Sequence, residues 1–208
     1  MTAYIMPERP LQPFEPGEYP FSKIVHLPQN YEVYDFSKGY DPNRKLKTPY
    51  GVGKYAEIRP GMYTSEHFMA DKRIIHMGID IAAPIGEPVY AFADGVIFKS
   101  GYNSLPLDYG STLITEHQIN GFRIFALHGH LSLSSLELRR PGERFEAGDQ
   151  LGFVGDRTEN GGWNPHLHFQ LSQVEPKTHD LPGVVSLNEL DWAKLAFPDP
   201  QLVMGKLY

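Results

Sequence analysis

Between residues 88 and 172 one pattern recurs six times. The segments "PVYAFA", "GVIFKS", "STLITEH", "FRIFALH", "QLGFVG" and "HLHFQLS" are short, rich in β-branched and aromatic residues, and set apart by Gly, Pro, Asn and Asp. Runs this short leave no room for an amphipathic helix, while their side chains suit a pleated, half-buried surface. The rhythm predicts a mainly β domain, a compact antiparallel sheet or sandwich.

The flanks read differently. Nine of the 18 prolines precede residue 75, and Pro7, Pro10, Pro13 and Pro16 recur at every third position. Proline lacks a backbone donor and breaks helix interiors, so a helical N-terminal bundle is not expected. Residues 1–70 are expected to form an extended arm packed on the core, with short strands at "KIVHL" and "YEVYDFS". Residues 71–175 carry the β domain. Residues 176–208 form a C-terminal extension, where Ser186 and Glu189 of "SLNELDWAKLAF" make a capping-box start for one short helix.

A chain of 208 residues holds one sizeable domain. No apolar run approaches the ~18 residues of a membrane span. The net charge of −6 argues against a nucleic-acid footprint, and "NRKLK" at 43–47 reads as a solvated loop. The start shows no basic region followed by an apolar run, so a cytoplasmic location is the default, or a periplasmic or secreted one if a leader has been removed. Oligomeric state is left open. The chain has no cysteine, so any metal must be held by His, Asp or Glu.

Six of the nine histidines lie between 76 and 168. In "HMGID", Gly78, the β-branched isoleucines and nearby Pro84 disfavour a helix. A strand puts His76, Gly78 and Asp80 on one face, and Gly78 leaves space between two polar groups. "HGH" at 128–130 and "HLH" at 166–168 each place two imidazoles on one strand face, opposite Leu127 and Leu131 or Leu167, Phe169 and Leu171. Any one pair is commonly structural; three in register point to a metal. A catalytic zinc takes three N or O ligands and keeps a position open to water. His76, Asp80 and one of His166 and His168 could supply the set, with leftover imidazoles moving protons near neutral pH. His26, His67, His117 and His179 stand singly and read as ordinary core or surface residues.

Residues 73–173 resemble the lysostaphin-type zinc metallopeptidases, which cut peptide cross-links of bacterial cell walls. The likeness rests on "HMGIDIAAPIGEPVYAFADGVI", "DYGSTLITEH", "HGHLS", "PGERFEAGDQLGFVG" and "PHLHFQL", in that order. The resemblance implies an antiparallel β fold of the duplicated hybrid type with zinc at the floor of a groove. It implies His76, Asp80 and His168 as zinc ligands and His130 and His166 as catalytic histidines. The reaction it implies is attack of zinc-bound water on a peptide bond between small residues, with peptide or peptidoglycan as the partner. His128 stands where the family commonly has an aromatic residue, and "DRTENGGWNP" replaces a shorter turn. Some family members carry a leading segment that blocks the groove; Asn30, Glu66 and His67 have the chemistry to do so, but a packing arm is expected. Two other functions compete: a non-catalytic peptide- or wall-binding module, and a zinc carboxypeptidase or amidase. Because the apolar strand faces do not involve the metal, Asp80→Ala is expected to lose the metal and stay folded.

Overall fold

The computed structural model describes residues 3–41, 47–64 and 73–208. Glu66, His67 and most of the "NRKLK" run lie outside the described residues. The fold is mostly β, and each of the six repeated segments contains a strand: Pro88–Tyr90, Gly95–Asn103, Gly110–Ile119, Phe122–Leu131, Gln150–Phe153 and His166–Ser172.

An eight-stranded sheet organises the molecule. Its order across the sheet is Arg144–Phe145, Gly95–Asn103, Gly110–Ile119, Phe122–Leu131, His166–Ser172, Ile79–Ala82, Gly51–Gly53 and Glu32–Val33. Every pairing is antiparallel except the last, where Glu32–Val33 runs parallel to Gly51–Gly53. Side chains alternate across the pleat. Ile79, Ile81, Leu167, Phe169 and Leu171 therefore fill one core face, all fully buried. The neighbouring positions Asp80, His166 and His168 face the other way.

The described residues of the N-terminal stretch are tied in at several points. Phe14, Ile24 and Val25 are buried in the main core, Tyr4–Ile5 pairs with Glu175–Pro176, and Gly51–Gly53 pairs with the strand that carries Asp80. "KIVHL" forms no strand: its Ile24 carbonyl instead caps the Tyr90 amide. At the other end Ser186 and Glu189 form the capping box, opening a 3-10 turn that continues as the helix Leu190–Ala196. Two further helical turns, Leu133–Leu138 and Gln201–Met204, have no counterpart in the sequence reading.

Candidate metal centre

The strand expected to run through 76–80 is interrupted. Ile75–His76 pairs with Val184–Val185, whereas Ile79–Ala82 pairs with His166–Ser172, and the chain kinks at Met77 and Gly78 between them. The kink swings His76 toward Asp80, bringing His76 Nε2 to 3.1 Å from Asp80 Oδ1. Register supplies the third group, since His168 sits directly opposite Asp80. Its Nδ1 lies 3.1 Å from the same carboxylate oxygen and 3.0 Å from His76 Nε2. The space above Gly78 is filled by this ring: a Cβ at residue 78 would come within 2.6 Å of two His168 ring atoms.

The outer nitrogens of both rings are committed. His76 Nδ1–H donates to the Lys54 carbonyl at 3.1 Å. His168 Nε2–H donates to Gln170 Oε1 at 3.0 Å, and Gln170 is oriented by donating its own amide to the Pro182 carbonyl. Burial, then the charge of Arg59, pushes His76 down to about 4, so this ring is neutral at pH 7. Burial alone would raise the Asp80 carboxyl, but the neighbouring His76 and the charge of Arg59 hold it well below the ordinary range. Two imidazole lone pairs and a carboxylate oxygen thus converge with no proton assigned between them. That arrangement is repulsive unless a cation occupies the centre. The donors are of N and O type, and their mutual spacing matches the roughly 3.3 Å edge of a tetrahedron with 2.0–2.1 Å bonds. Among the described residues His76, Asp80 and His168 form the one group of this kind.

His130 reaches the same centre by a different device. Strand alternation would put His128 and His130 on one face. Instead Gly129 and His130 together oppose the single residue Thr112, a bulge in the pairing of the two long strands. His130 adopts a left-handed backbone with φ of 61°, a conformation that costs a non-glycine residue on the order of 1–3 kcal/mol. Its amide bonds the Tyr109 carbonyl and its Nδ1–H donates to the Asn160 carbonyl at 2.8 Å. The bulge turns His130 to the centre and His128 into the core against Phe169. His166 Nδ1–H donates to the Asn164 carbonyl at 2.7 Å, leaving Nε2 3.8 Å from Asp80 Oδ1. The His130 and His166 rings lie 4.2 Å apart, centroid to centroid. Burial is the first cause of the lowered basicity of both, followed for His130 by its two histidine neighbours.

These groups line a cleft of about 870 Å³. Trp163 borders it, edge-on to both His130 and His166, and Tyr40 and Tyr63 from the N-terminal stretch pack on Trp163. Asn30 sits in an exposed turn and does not line the cleft. His26 is exposed, His179 half-buried and His117 buried, bonded to the Asp94 carbonyl and Thr115. Sequence reasoning passed over Arg59, which is 1% exposed and whose Nη1 lies 2.6 Å from Asp80 Oδ2.

A family model described as Peptidase family M23 matches residues 74–180, half of the chain. The peptidoglycan DD-endopeptidase ShyC of Vibrio cholerae is 32% identical over 121 residues, which are 54% of this chain and 24% of that protein. The DD-carboxypeptidase/endopeptidase Mpg of Neisseria meningitidis is 38% identical over 126 residues, 59% of this chain and 26% of that one. The chain therefore spans about a quarter of the length of these curated relatives. Among solved structures, the catalytic domain of lysostaphin from Staphylococcus simulans matches at 21% identity and a TM-score of 0.45, covering 70% of this chain and 92% of that one. No helix among the described residues is long and apolar enough to cross a membrane.

Proposed function

The chain belongs to Peptidase family M23, and from that premise we propose that it is a zinc-dependent metalloendopeptidase acting on the peptide cross-links of peptidoglycan. The observation that carries the reading is the convergence of His76 Nε2, Asp80 Oδ1 and His168 Nδ1 within 3.1 Å of one another. His76, Asp80 and His168 are the ligands in this reading, and residues 71–175 form the catalytic domain, with 1–70 packed on it and 176–208 as an extension. A zinc ion held there would supply a Lewis acid for the scissile carbonyl and would lower the pKa of a water toward neutral.

The protein's own groups handle the proton. His130 and His166 are neutral, with Nδ1 hydrogens tied to the carbonyls of Asn160 and Asn164. Each is left with a bare Nε2, and His166 Nε2 faces Asp80. A bare Nε2 accepts the proton that the attacking water gives up. The resulting imidazolium donates a hydrogen bond to the oxyanion and then returns the proton to the leaving amine. Burial of both rings keeps their basicity low, so the proton is held only while the tetrahedral oxyanion is beside it. Trp163 stands edge-on to both rings at the border of the cleft.

The relatives' names supply the substrate class, and because the match covers only about a quarter of each relative the whole activity is a matter for assay. Purified peptidoglycan and its cross-linked peptide dimers, digested with and without added zinc, are the substrates to use. Cleavage within the cross-link is expected, with His130→Ala keeping its zinc and losing about 100- to 10,000-fold in rate. Release of a terminal residue alone would make it a carboxypeptidase. A His130→Ala variant with full zinc and full rate would overturn the proton-transfer role.

A further inference from the structure

We propose that Arg59, from the N-terminal stretch, is a positioning residue of the metal centre: it occupies one oxygen of Asp80 so that the carboxylate presents only the other to the cation. The proposal rests on the reading of His76, Asp80 and His168 as ligands. It concerns a residue that precedes the family match, which begins at residue 74.

The guanidinium is built in from all sides. Its Nη1 donates to Asp80 Oδ2 at 2.6 Å, while Asp80 Oδ1 is the oxygen that faces His76 and His168. Its Nε donates to Glu57 Oε2 at 3.1 Å and its Nη2 to the Lys54 carbonyl at 3.3 Å. The Lys54 carbonyl also receives His76 Nδ1–H, so one backbone oxygen sets both the Arg59 fork and a ligand imidazole. The Phe36 ring lies 4.9 Å from the guanidinium carbon, and Glu57 Oε1 accepts the Phe36 amide. Gly53 pairs with Asp80 across the sheet. A Cβ there would come within 2.8 Å of Arg59 Nη2 and 3.3 Å of the Asp80 Cβ, so the approach depends on glycine at that place.

Two effects of the guanidinium oppose each other. Its charge repels a dication, and its hydrogen bond fixes the carboxylate. Glu57, 8% exposed, pairs with the guanidinium and offsets its charge locally, so orientation is what remains. Partners that orient metal ligands are typically worth 10- to 100-fold in metal affinity. Lysine's three donors all sit on one nitrogen and lack the flat guanidinium fork that spans Asp80, Glu57 and the Lys54 carbonyl.

The test uses the full chain as wild type, Arg59→Met and Arg59→Lys, stripped of metal. Zinc affinity is read by competition with a chromogenic chelator, coordination by the visible spectrum after cobalt(II) loading, and folding by thermal melting without metal. Wild type is expected to bind one equivalent. Arg59→Met is expected to bind about 10- to 100-fold more weakly and to give a weaker cobalt band, because a freed Asp80 adds its second oxygen and raises the coordination number. Arg59→Lys is expected to shift the same way to a smaller extent, and it decides the matter if Arg59→Met does not fold. Folded variants with wild-type affinity and an unaltered cobalt spectrum would overturn the proposal, whatever their melting temperature. That result would leave the ligand set standing. Wild-type protein that takes up no metal would remove the ligand set, and this proposal with it.

Discussion

His76 Nε2 and His168 Nδ1 face each other at 3.0 Å, each ring having committed its hydrogen on the far side, to the Lys54 carbonyl and to Gln170. The approach depends on Gly78. A methyl group there would lie 2.6 Å from the His168 ring and 2.8 Å from the Phe169 carbonyl, and the carbonyl belongs to a central strand that cannot easily yield. Gly78→Ala is expected to cost about 1–3 kcal/mol of stability through overpacking and to displace His168 from the ligand triangle. Urea unfolding and a zinc titration check the two halves separately. Normal zinc binding in this variant would mean that His168 is not held where the structure has it.

Asp80 has two duties. It closes the ligand triangle with Oδ1, and with Oδ2 it neutralises a fully buried arginine. Asp80→Ala is still expected to stay folded, but this second contact adds a cost in stability to the loss of the metal. Removing one partner of a buried ion pair typically costs 3–5 kcal/mol, and Glu57 retains part of that here. His168→Ala removes a ligand with no such charge behind it. Thermal melts of the two metal-free variants are expected to put Asp80→Ala well below His168→Ala; coincident melts would show that Arg59 does not need Asp80.

The left-handed backbone at His130 separates catalysis from folding. Glycine accepts φ of 61° without penalty and alanine does not. His130→Gly is therefore expected to be more stable than His130→Ala by about 1 kcal/mol, although both lose the imidazole and both are expected to lose about 100- to 10,000-fold in rate. Denaturant midpoints for the pair provide the comparison. An alanine variant at least as stable as the glycine one would mean that the bulge relaxes when the side chain is removed.

His128 is one of the buried histidines that make the fold acid-sensitive. Neither ring nitrogen finds a partner among the described residues; the carbonyls of Leu113 and Ala126 lie nearby but outside hydrogen-bond geometry. Burial is the main cause that pushes His128 down to about 3 and His117 down to about 4, from an ordinary 6.5. Both are neutral in the fold, and the unfolded chain takes up protons below 6.5. Stability is therefore complete above pH 6.5 and declines as pH falls toward 4 and 3, by about 2 kcal/mol per histidine between pH 6.5 and 5. His128→Phe, which removes two unsatisfied nitrogens and keeps a ring against Phe169, is expected to gain about 1–3 kcal/mol at pH 7.5 and to lose less on acidification. Urea midpoints at pH 7.5 and 5 test this; parallel losses in both proteins would assign the acid sensitivity elsewhere.

What the sequence made legible follows from periodicity. Leu167, Phe169 and Leu171 alternate with His166 and His168, and this period of two put the last two histidines on the correct face of a strand. Ser186 and Glu189 announced a helix start because a capping box is a local signal. What stayed hidden is non-local or breaks the period. The bulge at Gly129 and His130 reverses the face of one histidine, and nothing in "HGH" marks it beyond a glycine. The kink at Met77 and Gly78, not strand alternation, brings His76 to Asp80. Arg59 sits 21 positions before its carboxylate in a proline-rich stretch with no pattern to follow, and the pairings of Gly53 with Asp80 and of Ile58 with Ile75 deliver it to the site.

The central claim is that His76, Asp80 and His168 together hold one divalent cation. Elemental analysis of zinc-equilibrated, gel-filtered protein tests it most directly, on wild type and His168→Ala side by side. One zinc per wild-type chain and none on a folded His168→Ala variant is the expected result. Zinc retained in full by His168→Ala, or absent from wild type, would contradict it.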